Sequence, residues 1–423
     1  MIKRLLTICA LVVSAMSLWA DDVTFSPLQY ETLPDMQVPR RGHVAFATAD
    51  GDIVAVGGHT TNFDLTATAE RLHNGVWESI NISHPHDGAG WVTLPDGRVI
   101  ICGGFSSGRG IGQSTPCDIY DPATNSFTTT GSLNVARGFP SAVCTGVGNN
   151  VLVSGNWYAA DTQFELWNGE TWTAFGQKDV PLNHPFMVSD GQGIVYVFGC
   201  RNNYSRLVPI TVWRVNTNDQ TAEVVTETGL EAYEEVCHGD YFSFQTSDSR
   251  IYLMAKKKDE SILRLLCFSA ITGKATELAE LPAAIPDVTS KIDYVPGVLV
   301  NEARKEAYIM GCHGKALVVL NYNLESGKMT VFHSEQLNGN FAWGTWALQP
   351  ATNKIIFTGG SVSDNFDPIA TCIAVTPCGD DTGIGNVSAS KTADSVIYTL
   401  DGRRVENPTK GVYISNGRKV VIK

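Results

Sequence analysis

Leu94-Pro95-Asp96-Gly97-Arg98-Val99-Ile100-Ile101-Cys102-Gly103-Gly104 decides the fold. Pro95 to Arg98 reads as a tight hairpin turn. Val99 to Cys102 is a short apolar run halted by two glycines, the signature of a buried strand. Trp91 to Leu94 before the turn is its antiparallel partner. Beyond the glycines, Asp118 to Tyr120 makes a third strand. Asp121 to Asn125 then turns the chain into a fourth, Ser126 to Thr129. The four are strands a to d of one sheet. The ending of strand b returns about every fifty residues: Val56-Gly57-Gly58, Cys102-Gly103-Gly104, Ser154-Gly155, Phe198-Gly199, Met254-Ala255, Met310-Gly311 and Thr358-Gly359-Gly360. Seven returns at that period mean seven similar sheets. No such sheet can bury both faces alone, so the seven must stack around an axis as blades of an all-β propeller.

The other units follow the same grammar. Blade 3 shows Val151 to Ser154, Phe164 to Trp167, and Thr171-Trp172 after Asn168-Gly169; blade 1 ends on Arg71 to Trp77. A diglycine after strand b, an aromatic on strand c and Trp or Phe on strand d resemble the kelch-repeat family, over about residues 25–376. The resemblance is strongest in blades 1 to 3 and at Gly359-Gly360, and weakest in blade 5, where Ala255 and lysines replace glycines. Blade 7 has Phe341 to Trp346, Lys354 to Phe357 and Thr371 to Val375 but no strand d. The segment from Thr24-Phe25 to Leu33 is expected to fill its outer edge and so close the ring.

Composition limits the rest. The 423 residues carry a net charge of −12 and no basic stripe, which argues against nucleic acid as a partner. Lys256-Lys257-Lys258 is read as a solvated hairpin tip. Lys3-Arg4, the apolar run Leu5 to Trp19 and Ala20 before Asp21-Asp22 read as a secretory signal peptide over residues 1–20. The propeller is expected over 21–378, a polar linker over 379–391 and a small β tail over 392–423, with no later run able to span a bilayer. The tail, with Asp401 to Val405, Gly411 to Ser415 and a hairpin at Asn416-Gly417, reads as three short strands. It looks like the C-terminal sorting domains of Bacteroidetes-type secreted proteins, which implies type IX export to the cell surface. Nine cysteines follow the signal segment. Cys102 and Cys117 could face each other, as could Cys372 and Cys378, and buried thiols serving as small apolar residues are an equal alternative.

Chemistry is expected where the d-to-a and b-to-c loops share one end of the propeller. His43, His84, His86, His184 and His238 lie at or just before strand a, and His59 and His313 directly after strand b. The ligand face is read as Arg41, His43, His59, His86, Arg137, Trp157, His184, Arg201, Tyr204, His238, Asp240, Lys291, His313 and Trp343, with Trp157 and Tyr204 as stacking surfaces for sugar rings. The Arg41 and Arg137 starts also suit bracing. Three activities compete. The first is binding of carbohydrate or a surface protein without turnover. The second is a polysaccharide-active, lyase-like enzyme with a divalent metal on His43, His86, His184 and His238, and Lys291 or Arg137 as charge partner. The third is copper-radical oxidation, since Leu94 to Gly104 is similar to the galactose-oxidase central propeller. That resemblance implies a Tyr-His pair ahead of such a strand. Gly88-Ala89-Gly90-Trp91 stands there instead, and the chain has no Tyr-His dipeptide. The fold resemblance stays and the oxidase activity is rejected. Binding, with carbohydrate as the leading ligand, is the preferred reading.

Overall fold

The computed structural model describes residues 23–157, 163–176, 182, 185–202, 206–236, 248–286, 291–313, 315–336, 344–361 and 367–377, together with four short strands in the last 27 residues. The chain divides into two compact units, Met1–Pro377 and Cys378–Lys423.

Strands β1 (Val23–Pro27) and β2 (Gln29–Leu33) come first. Blade 1 then holds β3 (Val44–Ala47), β4 (Ile53–Val56), β5 (Thr68–His73) and β6 (Val76–Asn81). Blade 2 holds β7 (Gly90–Thr93), β8 (Val99–Cys102), β9 (Cys117–Asp121) and β10 (Ser126–Thr129). Blade 3 holds β11 (Ser141–Cys144), β12 (Val151–Ser154), β13 (Phe164–Trp167) and β14 (Trp172–Phe175). Blade 4 holds β15 (Phe186–Ser189), β16 (Ile194–Asn202), β17 (Arg206–Asn216) and β18 (Thr221–Val225). Blade 5 holds β19 (Tyr233–Val236), β20 (Arg250–Lys257), β21 (Leu263–Ser269) and β22 (Lys274–Glu280). Blade 6 holds β23 (Asp293–Asn301), β24 (Glu306–His313), β25 (Ala316–Asn323) and β26 (Met329–His333), and blade 7 holds β27 (Thr345–Gln349), β28 (Lys354–Thr358) and β29 (Cys372–Thr376). Each blade is an antiparallel meander in chain order. Seven sheets stand where the repeat placed them.

The core is divided into seven apolar clusters, one at each seam between neighbouring blades. The two-residue period of a strand produces this division. On β4, Ile53 and Ala55 join Ile356 and Ala374 of blade 7, while Val54 and Val56 join Val99 and Ile101 of blade 2. Strand b is therefore apolar on both faces, which is why it reads as an unbroken hydrophobic run rather than an alternation.

The glycine signal has two outcomes. Gly57, Gly58, Gly103, Gly104, Gly155, Gly359 and Gly360 all have φ between +63° and +111°. Such left-handed backbone leaves the sheet ladder, so the strand stops and a long b-to-c loop begins. The second glycine bonds the next blade's entry loop: Gly58 N–H to Pro85 O (2.9 Å), Gly104 to Arg137 O (2.8 Å) and Gly360 to Arg40 O (3.1 Å). A Cβ on Gly57 would lie 1.8 Å from Pro85 O, so the approach requires glycine. In blades 4 to 6 the small residue is one Gly or Ala without that conformation. Strand b runs past it, giving β16, β20 and β24 eight or nine residues against four or five in the other blades. His313 therefore ends strand b rather than following it. Lys256 and Lys257 belong to β20, and the hairpin tip is confined to Lys258 onward. Lys257 pairs with Glu277 at 2.9 Å.

Ring closure departs from expectation in one respect. β2 lies antiparallel on β29 at the outer edge of blade 7, as read from the sequence. The segment around Thr24-Phe25 does not. It forms β1, a parallel fifth strand on β26 of blade 6. Leu28 between them explains the split: it is buried among Tyr308, Phe332 and Ile373 at the seam of blades 6 and 7, and its N–H bonds His333 O at 2.8 Å. An apolar residue wedged there steps the chain from one blade edge to the next. In the C-terminal unit, β30 (Ile397–Tyr398), β31 (Arg404–Val405), β32 (Gly411–Ser415) and β33 (Arg418–Ile422) form a sheet ordered β31-β30-β32-β33. The sequence reading counts three strands, and the sheet has four. Among the described residues no helix is long and apolar enough to cross a membrane.

Candidate functional site

Blades 1 and 3 share one polar device. Arg40 and Arg137 each stand four residues before strand a, and each side chain turns back to a glutamate on strand c. Arg40 Nη2 donates to Glu70 at 2.7 Å and Nη1 to Gly57 O at 2.8 Å. Arg137 Nε donates to Glu165 at 3.1 Å and Nη1 to Gly155 O at 3.0 Å. Glu70 also accepts the backbone N–H groups of Gln37 (2.6 Å) and Val38 (3.0 Å), and Glu165 those of Asn134 (2.6 Å) and Val135 (3.2 Å). All four side chains are fully buried. Burial lowers both guanidinium pKa values, and the glutamates partly restore them. A charge enclosed this way is tolerated only while its partner and its remaining hydrogen bonds are present.

Blade 2 carries a shortened version. His86 occupies the Arg40 place and Asp118 the Glu70 place. Asp118 pairs with Ile101 across the ladder as Glu70 pairs with Ala55 and Glu165 with Val153. His86 Nδ1 contacts Gly103 O at 3.1 Å, and its Nε2 meets Asp118 Oδ2 at 2.9 Å. His84 Nδ1 reaches the same oxygen at 3.0 Å, and Thr129 Oγ1 donates to Oδ1 at 2.8 Å. Burial alone would raise the Asp118 carboxyl; the contacts from His86, His84 and Thr129 outweigh it and hold it at about 2. The sequence reading puts His84 on the rim and Asp118 on a strand but includes neither in the ligand face. Part of the signal is present: aligning the blades on strand a sets Arg40, His86 and Arg137 in one column, whereas Glu70, Asp118 and Glu165 correspond only through the register of strand c on strand b.

A second histidine lies nearby. His59 Nδ1 meets Asp87 at 2.8 Å, with both side chains buried and His59 Nε2 without a hydrogen-bond partner among the described residues. Burial raises the Asp87 carboxyl despite His59 and Arg41. Phe63 stacks on the imidazole at 5.6 Å, and the Arg109 guanidinium lies 5.0 Å over Phe63.

The remaining candidates scatter. His43 is buried at the closing seam with Nε2 2.9 Å from Thr358 Oγ1, and burial, then Arg40 and His59, push its pKa well down. Arg41 is buried beside Asp87. Arg137 is enclosed with Glu165 and does not reach solvent, the bracing role. Trp157 is half-buried edge-on to Phe139 at 5.1 Å. Lys291 is exposed in a bridge with Ala284, and His313 is buried at the end of β24. Arg201 lies on β16 opposite Leu207. His184, Tyr204, His238, Asp240 and Trp343 lie outside the described residues, as do the signal and linker segments. Of the metal set His43, His86, His184 and His238, the two described members have different partners, Thr358 of blade 7 and Asp118 of blade 2. Cys102 and Cys117 do face each other, as register partners, and both are buried thiols.

A cavity of about 550 Å³ lies at the other mouth, toward the a-to-b turns, among blades 6, 7, 1 and 2. Its wall combines Trp91, Phe46 and Trp346 with the hydroxyls of Thr48, Thr93 and Thr352, the Gln349 amide and small residues such as Ala45 and Ala347. Trp91 leans on Phe46 at 5.4 Å and remains partly accessible. Asp50 is the one carboxylate among the described lining residues. The histidines named above are not part of it.

No protein-family model matches the chain, and no curated protein matches it. Among solved structures it is similar to a fungal alcohol oxidase of the AA5 family in complex with copper. The TM-score is 0.58 and the identity 14%, over 83% of this chain and 76% of that one. Identity that low shows a shared propeller fold.

Proposed function

We propose that this propeller is a binding module, with carbohydrate as its ligand class, and that the ligand enters the cavity at the a-to-b mouth. The carrying observation is that cavity. Its volume falls in the range of small-ligand sites, a partly accessible indole adjoins hydroxyl and amide groups, and Asp50 is the one carboxylate among the described lining residues. Aromatic faces and neutral hydrogen-bonding groups suit sugar rings, whereas turnover by general acid–base chemistry needs paired groups of different pKa. The copper of the fungal neighbour is not carried over. The chain has no Tyr-His dipeptide.

The same reading places the protein outside the cytoplasm, supported by the apolar run Leu5 to Trp19 and the sorting-like motifs of the tail. The test has two arms. A glycan panel in a thermal-shift screen should contain a polysaccharide that raises the melting temperature, with the shift lost in Trp91→Ala and Gln349→Ala. In cells, deleting 392–423 should move the protein from the surface to the periplasm. A shift that survives both substitutions removes the cavity reading. Surface display without the tail removes the sorting reading.

A further inference from the structure

The three blades that share the polar device differ in a way that bracing does not explain. Blades 1 and 3 join long partners, Arg and Glu, with backbone N–H groups filling the remaining carboxylate positions. Blade 2 substitutes His86 and Asp118, both shorter, and in place of Val38 and Val135 it has His84. A side-chain imidazole replaces a backbone donor. Three ligand-capable atoms, His84 Nδ1, His86 Nε2 and Asp118 Oδ2, then converge within 4.8 Å of one another.

We propose that His84, His86 and Asp118 bind one divalent first-row transition-metal ion. The hydrogen-bond pattern accommodates a cation. A carbonyl oxygen only accepts, so the contact to Gly103 O places the ring proton of His86 on Nδ1. Nε2 then faces a carboxylate oxygen 2.9 Å away, a contact satisfied either by a second ring proton or by a cation bound beside both. Ligands held about 2.0–2.2 Å from one ion lie about 2.8–3.1 Å apart in an octahedron and about 3.3–3.6 Å apart in a tetrahedron, so the 2.9 and 3.0 Å contacts suit the first and open by a few tenths of an ångström for the second. The outer shell is in place: Gly103 O orients His86, and Thr129 occupies Oδ1, leaving Oδ2 to face the imidazoles. Access is one-sided. His86 and Asp118 are enclosed, while the His84 side chain is 31% exposed, so solvent completes the coordination from that side. Two imidazoles and one carboxylate favour zinc, cobalt, nickel, copper or ferrous iron over calcium and magnesium, which prefer all-oxygen sites.

The competing account makes His86 a protonated stand-in for arginine, with His84 incidental. The two separate by experiment. Full-length protein stripped with a chelator is titrated with zinc alone by calorimetry, and with cobalt by absorption. One equivalent should bind with micromolar or tighter affinity, giving a cobalt ligand-field band and a raised melting temperature. His84→Ala, at an accessible position, should weaken zinc at least tenfold. The double variant His86→Arg with Asp118→Glu rebuilds blade 2 on the pattern of blades 1 and 3. It should melt close to the parent and bind no zinc. Absence of binding by the parent, or unchanged binding in His84→Ala, overturns the site. If the double variant does not fold, His84→Ala and the cobalt band decide.

Discussion

Blades 1 to 3 and blades 4 to 6 solve the same packing problem by different means. In the first group strand b ends on left-handed glycine, the b-to-c loop leaves the sheet, and buried polar pairs tie the entry loop to strand c. In the second group strands b and c continue as a long hairpin, and the seams rely on apolar contact such as Phe198 against Phe268 at 4.9 Å. The difference shows that the repeat specifies the seam rather than the loop. Any blade with a strand b apolar on both faces can join the ring. The diglycine adds a fixed bond to the next blade and frees a loop for other uses.

The sharpest way to break this comparison is to put a side chain on each kind of glycine. Gly57→Ala combines φ of +65° with a backbone collision, and should cost at least about 3 kcal/mol or prevent folding. Gly199→Ala meets nothing closer than 3.6 Å and has ordinary backbone, so it should stay within about 1 kcal/mol of the parent in urea unfolding. Equal losses would end the two-outcome account. Next come the ion pairs. Arg137→Met strands a buried Glu165 and should lose about 3–5 kcal/mol. Arg214→Ala in blade 4, whose partner Glu223 is 64% exposed, should lose less than about 1 kcal/mol. A small loss at Arg137 would show that the polar device contributes little.

The smallest expected effect lies at the closing seam, where His43 is held neutral. Its folded pKa lies below the usual value of about 6.5. The unfolded chain therefore takes up a proton that the folded ring resists, and stability present above about pH 6.5 falls as the pH drops through it. His43→Gln should flatten the decline in melting temperature between pH 7.5 and 5.5. An unchanged slope would assign the acid sensitivity to other groups.

The seven blades were legible because period and residue type agree: small residues after an apolar strand recur at near-constant spacing. The length of strand b was not legible. Gly199, Ala255 and Gly311 look like Gly57 in a sequence pattern, and only backbone conformation separates a strand end from a strand interior. The split of the N-terminal segment depended on Leu28 finding a seam, a tertiary event with no local sign. The sequence puts imidazoles at one rim, and burial decides what the described ones do. His43, His59 and His86 sit inside bonded pairs rather than facing one open pocket. Asp118 was hidden because its partners, His84 and His86, lie more than thirty residues earlier.

The strand pair β1 and β2 has a consequence for how the molecule is made. Thr24 bonds Met329, 305 positions later, and Tyr30 aligns with Val375. During synthesis this stretch must wait, unpaired, until residues 329–376 have been made. Closure is the final event, slow because its contacts are so remote in sequence. Until then the outer edges of two blades stand open to neighbouring chains.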